Sequence, residues 1–114
     1  MTLRTETGQQ TRPCAPCGEA TGSLGGDAIR ELHKNVPKWV LVDGRRLVRD
    51  YKFSDFAQAL AFVNSVGEIA EQAGHHPWIH FTWGQVHVEI WTHKVDGLTE
   101  ADFDLAARID ALDG

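Results

Sequence analysis

Histidine side chains are the strongest chemical signal in this sequence. Five of the six histidines lie between positions 75 and 93, and His75 and His76 are adjacent and precede Pro77. A neutral imidazole can donate or accept a proton near pH 7, so such a cluster is typical of general acid–base catalysis. Because proline biases the preceding residue towards an extended backbone, the side chains of His75 and His76 are predicted to point in opposite directions. The two residues are therefore predicted to perform different tasks.

A third histidine is expected to join this pair. His93 follows a predicted hairpin that returns the chain towards the end of the preceding helix, so two or three imidazoles are expected to line one cleft. Two carboxylates flank the group. Asp102 fits a capping box behind Thr99, and its carboxylate could also accept the N–H of His93 and hold one tautomer. Glu71 is predicted to be either an exposed helix residue or a wall of the pocket.

Two other interpretations of the histidines stay open at this point: surface or helix-capping residues, or a zinc site. Adjacent histidines differ from the i, i+4 spacing of helical zinc motifs, so a zinc site is the least favoured of the three interpretations. Cys14 and Cys17 have the spacing of a zinc or redox pair, but no second pair of ligands lies nearby in the sequence. An inert tail, a shared zinc site and a reversible disulfide are the alternatives for these cysteines.

The elements that must position these residues follow from the apolar pattern. A first helix is predicted from Asp27, its candidate N-cap, up to Pro37, which ends it. Strands on either side of Asp43 and Gly44 are predicted to pair as a hairpin, because this dipeptide readily adopts the positive φ angles of a tight turn.

The second half of the sequence repeats this arrangement. Ser54 is the predicted N-cap of a long helix that ends at Gly74. A second hairpin is predicted to turn at Gly84 and Gln85, and Thr99 opens a last helix that runs to near Leu112. The core face of the long helix is predicted to consist of Phe56, Leu60, Val63, Ile69 and Ala73.

The order α-β-β-α-β-β-α predicts an α+β fold, in which a four-stranded antiparallel sheet has the helices packed on one face. Residues 1–26 are polar and rich in Gly, Thr and Pro, so they are predicted to form a flexible tail that carries the two cysteines. Residues 27–114 are predicted to form the single domain that a chain of 114 residues can support. Large side chains on both faces of the second hairpin favour an oligomer interface on the sheet.

Composition argues against several classes of function. A net charge of -5 argues against binding to a nucleic-acid backbone through charge. No segment resembles a membrane span, and the N-terminus lacks the apolar core of a signal peptide. The sequence therefore predicts a cytoplasmic protein without direct contact to nucleic acid or membrane.

The candidate site residues and their spacing are similar to those of a known protein family. Residues 71 to 102 closely resemble the signature of the pterin-4a-carbinolamine dehydratases, and the element order over roughly residues 27–112 matches that family as well. Because several fixed spacings match together, the signal is specific. The matching positions are Glu71, His75, His76, Pro77, Trp83, Thr92, His93, Gly97, Leu98, Thr99 and Asp102.

The resemblance implies a lyase, a dehydratase that eliminates water from 4a-hydroxytetrahydrobiopterin or a related pterin to give quinonoid dihydropterin. This reaction would recycle the cofactor of aromatic amino-acid hydroxylases. The resemblance also implies that no metal or organic cofactor is needed and that the protein is a homodimer or homotetramer. His75 and His93 would be the proton-transfer pair, and His76 would bind and orient the pterin.

Further contacts to the substrate are expected at Pro77, Thr92 and Trp39, with Glu71 and Asp102 in supporting roles. Core packing is the alternative for the indole of Trp39. Other proteins of this fold imply a function without catalysis, either as a dimerisation cofactor of a homeodomain transcription factor or as an assembly chaperone. The presence of all the motif histidines favours the enzyme.

Overall fold

The computed structural model describes residues 23–112 of the chain. Cys14 and Cys17 lie outside this part, so the assignments made for them stay predictions. Within it, three α-helices and four strands follow the order α-β-β-α-β-β-α, which confirms the predicted α+β fold. The elements are α1 (Gly26–His33), β1 (Val40–Val42), β2 (Arg46–Lys52), α2 (Phe56–Ala73), β3 (Trp78–Thr82), β4 (Gln85–Ile90) and α3 (Glu100–Asp110), with a 3-10 helix at His93–Val95.

The four strands form one antiparallel sheet in the spatial order β1-β2-β4-β3. β4 pairs with β2 on one side and with β3 on the other. Trp78 at the start of β3 lies opposite Glu89 near the end of β4. The residues just before β3 and just after β4 therefore meet at the same end of the sheet, and these are the segments that carry the candidate histidines.

The helices cover one face of this sheet. Alternate residues of β4, namely Val86, Val88 and Ile90, are fully buried, whereas His87 and Glu89 between them are only partly buried. This alternation is expected for a sheet that has a core on one side only. The helices complete the core with Ile29, Ala59, Val66, Ala70, Phe103, Leu105, Ala106 and Ile109.

Two predicted helix N-caps are wrong by one or two residues. The N-cap of α1 is Gly25, and Asp27 lies in the first turn, where a carboxylate is favoured by the helix dipole. The N-cap of α2 is Asp55, whose carboxylate accepts the N–H of Gln58 at 2.9 Å, while Ser54 precedes it. Serine and aspartate are equally good caps, so the sequence pattern does not distinguish two neighbours of these types.

Other turns and helix ends agree with the prediction more closely. Asp43 and Gly44 have φ angles of 55° and 68° in the first hairpin turn. Gly74 ends α2 with a φ of 66°, in the left-handed region that glycine tolerates without a steric cost. Thr99 is the N-cap of α3, as predicted. Helix α1, by contrast, ends at His33 and so stops before Pro37 terminates it.

The predicted core face of α2 is only partly correct. Phe56 and Leu60 are 47% and 39% exposed, so these two assignments are wrong. The residues of α2 that are buried are Ala59, Val66 and Ala70, whose small or short side chains allow the helix to lie close to the sheet. The other predicted core residues, Val63, Ile69 and Ala73, are partly buried against the core.

The described part of the chain also reaches into the predicted tail. Leu24 packs against the hydrophobic core, and its N–H donates to the carbonyl of Leu98 at 2.8 Å. Helix α1 then begins at Gly26, one residue before the predicted start of the domain. Among residues 23–112, no helix combines the length and the apolar character that crossing a bilayer requires.

Candidate functional site

The candidate site lies where α2 ends and the β3–β4 hairpin begins and ends. Gly74 turns the chain out of α2, and the N–H of His75 still donates to the carbonyl of Ala70 at 3.2 Å. β3 starts at Trp78, so the His75–Pro77 segment is held between a helix end and a strand. The segment after β4 arrives at the same place because the two strands are antiparallel.

The imidazole of His75 is bound by a buried carboxylate. Its Nε2 lies 2.5 Å from Oδ1 of Asp102, a residue with no exposed surface. The other oxygen, Oδ2, accepts the hydroxyl of Thr92 at 2.7 Å and the backbone N–H of Thr99 at 2.8 Å. Both carboxylate oxygens are therefore occupied, and the carboxylate can rotate little. A buried carboxylate held in this way fixes the orientation and tautomer of its imidazole partner.

This network corrects one prediction and supports another. Asp102 closes a capping box with Thr99 at the start of α3, as the spacing predicted. The imidazole that it binds is His75, however, and not His93. The prediction failed because Asp102 is buried in the first turn of α3, below the end of α2, whereas the side chain of His93 is exposed.

His76 has a different environment from its neighbour. Its Nε2 lies 2.5 Å from Oε2 of Glu71, and both side chains are mostly exposed, at 62% and 77%. Exposed pairs of this kind contribute little to stability, so the contact orients His76 and does not hold the fold together. Glu71 thus belongs to the site through His76. Pro77 is half-buried between this pair and β3.

His93 is carried by a short closed loop. The N–H of Thr92 donates to the carbonyl of Gly97 at 2.9 Å, and the N–H of Gly97 donates back at 3.4 Å. The 3-10 helix at His93–Val95 lies inside this loop. The imidazole of His93 is exposed and stacks on the indole of Trp91, with ring centroids 4.4 Å apart and planes 4° from parallel.

Trp91 is the residue at this site that sequence reasoning missed. It lies two positions before His93, and the extended backbone of Thr92 between them places both side chains on the same side of the chain. The guanidinium of Arg46, on β2, lies 4.3 Å from the centroid of the Trp91 ring. The spacing between Trp91 and His93 could have been noticed in the sequence. The contact between Arg46 and Trp91 could not, because it depends on the register between strands.

Two predicted site residues, Trp39 and Thr92, and one further position of the family signature, Trp83, have other environments. Trp39 has no exposed surface, and its Nε1–H donates to Oδ1 of Asp110 at 2.8 Å, so its assignment as a substrate contact is corrected to core packing. The hydroxyl of Thr92 is bound to Asp102 and lies 2.9 Å from that of Thr99. Trp83, at the turn between β3 and β4, is 64% exposed and lies at the opposite end of the hairpin from the histidines.

The remaining strand histidines lie on the sheet face that carries no helix. His87 contacts Oδ1 of Asp50 at 2.6 Å and Oε2 of Glu89 at 2.9 Å. The hydrogen bond to Asp50 is the main cause that raises the pKa of His87 above 6.5, with Glu89 adding to the effect and partial burial opposing it. The ring of His80 lies 5.9 Å from that of His87. Among residues 23–112, no group of three or more His, Cys, Asp or Glu side chains is arranged to bind a metal ion.

Comparisons with known proteins show the family of this chain. The profile of the family described as pterin 4 alpha carbinolamine dehydratase matches residues 23–112. A protein of Rubrobacter xylanophilus, whose name gives pterin-4-alpha-carbinolamine dehydratase as its predicted activity, is 45% identical over 101 residues, covering 89% of this chain and 94% of its own. A protein of Chlorobium limicola with the same name is 48% identical over 102 residues, covering 87% and 90%.

Two solved structures resemble the chain. A transcriptional coactivator/pterin dehydratase from Brucella melitensis superposes with a TM-score of 0.75 at 32% identity, over 82% of this chain and all of the other. A pterin dehydratase-like protein, described as a RuBisCO assembly factor in the alpha-carboxysome, superposes with a TM-score of 0.57 at 29% identity, over 68% of this chain and 90% of the other.

Proposed function

Because the chain belongs to the pterin 4 alpha carbinolamine dehydratase family, we propose that it removes water from a 4a-hydroxytetrahydropterin to give the quinonoid dihydropterin. In this proposal the reaction recycles the cofactor of aromatic amino-acid hydroxylases in the cytoplasm, and the chain acts as a homodimer or homotetramer. The catalytic part of the proposal rests on the buried Asp102, which binds His75 and accepts further hydrogen bonds from Thr92 and Thr99.

The reaction requires two proton transfers. The bond between C4a and the hydroxyl oxygen breaks, and the leaving hydroxide must receive a proton to depart as water. The proton on N5 is lost, and its electron pair forms the new double bond between N5 and C4a. An acid and a base on either side of the C4a–N5 bond are therefore sufficient, and each typically contributes about 10²–10⁴-fold to the rate.

His75 is proposed as one of these groups. The carboxylate of Asp102 accepts the Nε2–H of the imidazole, which directs the second ring nitrogen, Nδ1, to exchange a proton with the pterin. The hydrogen bonds from Thr92 and Thr99 hold the carboxylate in place. Thr92 is therefore proposed as a positioning residue for Asp102, in place of the direct substrate contact predicted from the sequence.

His93 is proposed as the second proton-transfer group, and His76 as the residue that binds and orients the pterin. His93 lies just after β4, at the end of the sheet where the segment of His75 precedes β3, and its ring is open to solvent and to a ligand. The pair formed by His76 and Glu71 is exposed in the segment between α2 and β3, with Pro77 leading into β3.

Partner binding is the second candidate function. Two similar structures are described as a transcriptional coactivator/pterin dehydratase and as a RuBisCO assembly factor, so the fold is found in proteins with such descriptions. The capping box at Thr99 would be present in a binding protein as well, but a binding function would not require the buried carboxylate of Asp102 to orient the imidazole of His75. This network favours catalysis as the primary function.

The proposed function is tested with the purified full-length protein. A pterin-dependent hydroxylase generates the 4a-carbinolamine, and formation of the quinonoid product is followed in the ultraviolet. We expect the protein to accelerate dehydration well above the rate in buffer, in proportion to its concentration. A rate equal to that in buffer would contradict the enzymatic function and leave the binding function as the better account.

A further inference from the structure

Trp91 and Arg46 are not used by the proposed chemistry, yet both contact the segment that carries His93. The indole of Trp91 lies parallel to the imidazole of His93, with a centroid distance of 4.4 Å. Parallel rings at this distance are in stacking contact. Because the imidazole is on the surface, contact with a large, partly buried ring restricts the directions in which it can point.

Arg46 contacts this segment at two points. Its guanidinium carbon lies 4.3 Å from the centroid of the Trp91 ring, a distance at which cation–π attraction operates. Its Nη2 also donates to Oδ1 of Asp96 at 2.9 Å. Asp96 ends the 3-10 helix of His93 with a left-handed φ of 47°. One side chain from β2 therefore contacts the residues on both sides of His93.

The contact between Arg46 and Asp96 is an ion pair at neutral pH. The hydrogen bond from Arg46 is the main cause that lowers the pKa of Asp96 below 3.8, and the charge of Arg45 adds to it. Arg45 lies 3.6 Å from the second oxygen of Asp96. Asp96 therefore remains ionised under all conditions in which an imidazole can transfer protons.

We propose that Trp91 and Arg46 are positioning residues that hold the imidazole of His93 in one orientation. Trp91 sets the plane of the ring, and Arg46 fixes both Trp91 and the turn at Asp96. The proposal rests on the proposed function, in which His93 transfers a proton to or from the pterin. A displacement of a catalytic group by about 1 Å can lower a rate about 10²-fold, so control of an exposed imidazole has a catalytic consequence.

The first test is a double-mutant cycle on the rate of carbinolamine dehydration. We expect Trp91→Leu to lower kcat about 10- to 100-fold with little change in KM, and Trp91→Phe, which retains a flat ring, to recover most of the loss. In a His93→Ala background, Trp91→Leu should cause no further loss, because a residue that acts through His93 has nothing left to position. An equal loss in both backgrounds would overturn the proposal.

A second arm tests the contact between Arg46 and Asp96. The variant D96N keeps a side chain that tolerates a positive φ and removes the charge that Arg46 binds. We expect kcat to fall in D96N and to fall at least as far in Arg46→Gln, which also loses the contact with Trp91. The two losses should not add in the double variant, because both remove the same contact between Arg46 and Asp96. Additive losses would show that Arg46 and Asp96 act independently, which contradicts the proposal.

The third test does not depend on activity. In proton NMR spectra, the imidazole protons of His93, assigned by their loss in His93→Ala, should be shifted upfield by the ring current of Trp91. Trp91→Leu should return them towards the position of an exposed histidine, and an unchanged position would overturn the proposal. If the wild-type protein proved inactive but the shift moved in this way, the proposed function would be contradicted and the positioning of His93 supported.

Discussion

At the scale of single residues, Asp102 is the part of the site with the clearest physical role. It is fully buried, and its carboxylate binds His75, Thr92 and the backbone of Thr99. An uncompensated buried charge is strongly unfavourable, so this set of partners is required for Asp102 to remain in place. The carboxylate therefore supports the fold through the capping box and the proposed chemistry through His75.

Replacing Asp102 by asparagine tests this role. The amide retains the shape of the carboxylate but has a donor in place of one acceptor, so it can bind His75 in the wrong tautomer. We expect D102N to lower kcat by about 10- to 100-fold with KM little changed, as for other groups that orient a functional imidazole. The matched control is D104N, on an exposed residue of the same helix that pairs with Arg108. Equal rates in D102N and wild type would contradict the assignment.

His87 should give the stability of the protein a pH dependence that is separate from catalysis. The carboxylate of Asp50 raises its pKa above 6.5, with help from Glu89, while the ring of His80 is its other titratable neighbour. A group with a raised pKa in the folded state stabilises the fold fully below pH 6.5 and loses this contribution as the pH rises through the folded-state pKa.

Urea denaturation at a series of pH values checks this prediction. The difference in unfolding free energy between wild type and His87→Gln should be largest in favour of wild type below pH 6.5 and should shrink as the pH rises. Asp50→Asn, which removes the main cause of the shift, should weaken the same dependence. If the advantage of wild type over His87→Gln in unfolding free energy grew as the pH rose, the predicted direction of the pH dependence would be contradicted.

At the scale of elements, the end of α2 determines the position of His75, which follows directly after it. Gly74 has a φ of 66°, and a Cβ at this position would meet no atom within 4 Å. The cost of Gly74→Ala is therefore backbone strain alone, which we expect to lower the unfolding free energy by about 1–2 kcal/mol. Because His75 is the next residue, kcat should fall as well.

Gly67 offers the matched control on the same helix. It lies in the interior of α2, where a Cβ would also meet nothing within 4 Å, but its backbone does not have a positive φ. Gly67→Ala should therefore raise the unfolding free energy by about 0.5–1 kcal/mol without changing kcat. Thermal or urea denaturation measures both variants, and equal effects of the two substitutions would contradict the role of Gly74 as the helix end.

The elements also show what sequence reasoning could recover. The hairpin at Asp43 and Gly44 and the end of α2 at Gly74 were predictable, because positive φ angles select particular residue types locally. The partner of Asp102 was not, because it depends on how α3 packs beneath the end of α2, and His75 lies 27 residues away in sequence. The exposure of Phe56 was missed for a similar reason, since this side chain stacks on Phe81 of the edge strand.

At the scale of the whole molecule, Trp39 joins distant parts of the chain. Its Nε1–H donates to Asp110 at the end of α3, and Arg49 of β2 binds the same oxygen at 2.6 Å. The indole is fully buried, and Trp39 and Asp110 are 71 positions apart in the sequence. The resemblance to a family suggested Trp39 as a substrate contact, but burial in the folded domain gives it a structural role.

Trp39→Phe separates these two roles. The variant retains an aromatic ring and loses the hydrogen bond to the Asp110 carboxylate, a kind of bond whose net value is about 1.5–3 kcal/mol. We expect a loss of unfolding free energy of at least that size, because the smaller ring also leaves a cavity in the core. Urea denaturation measures this loss, and kcat should be unchanged at temperatures where the variant is folded. The control is Trp83→Phe, at an exposed position, which should change neither quantity. A reduced kcat in Trp39→Phe with unchanged stability would restore the substrate contact.

In the proposed reaction, this small domain dehydrates a pterin carbinolamine with two imidazoles, His75 and His93. The most direct measurement is the dehydration rate of His75→Ala and His93→Ala, each shown to be folded by circular dichroism, beside wild type and His80→Ala. We predict losses of about 10²–10⁴-fold for the first two variants and a rate close to wild type for His80→Ala, whose side chain lies on the outer face of the sheet. Wild-type rates in both His75→Ala and His93→Ala would show that these imidazoles do not transfer the protons.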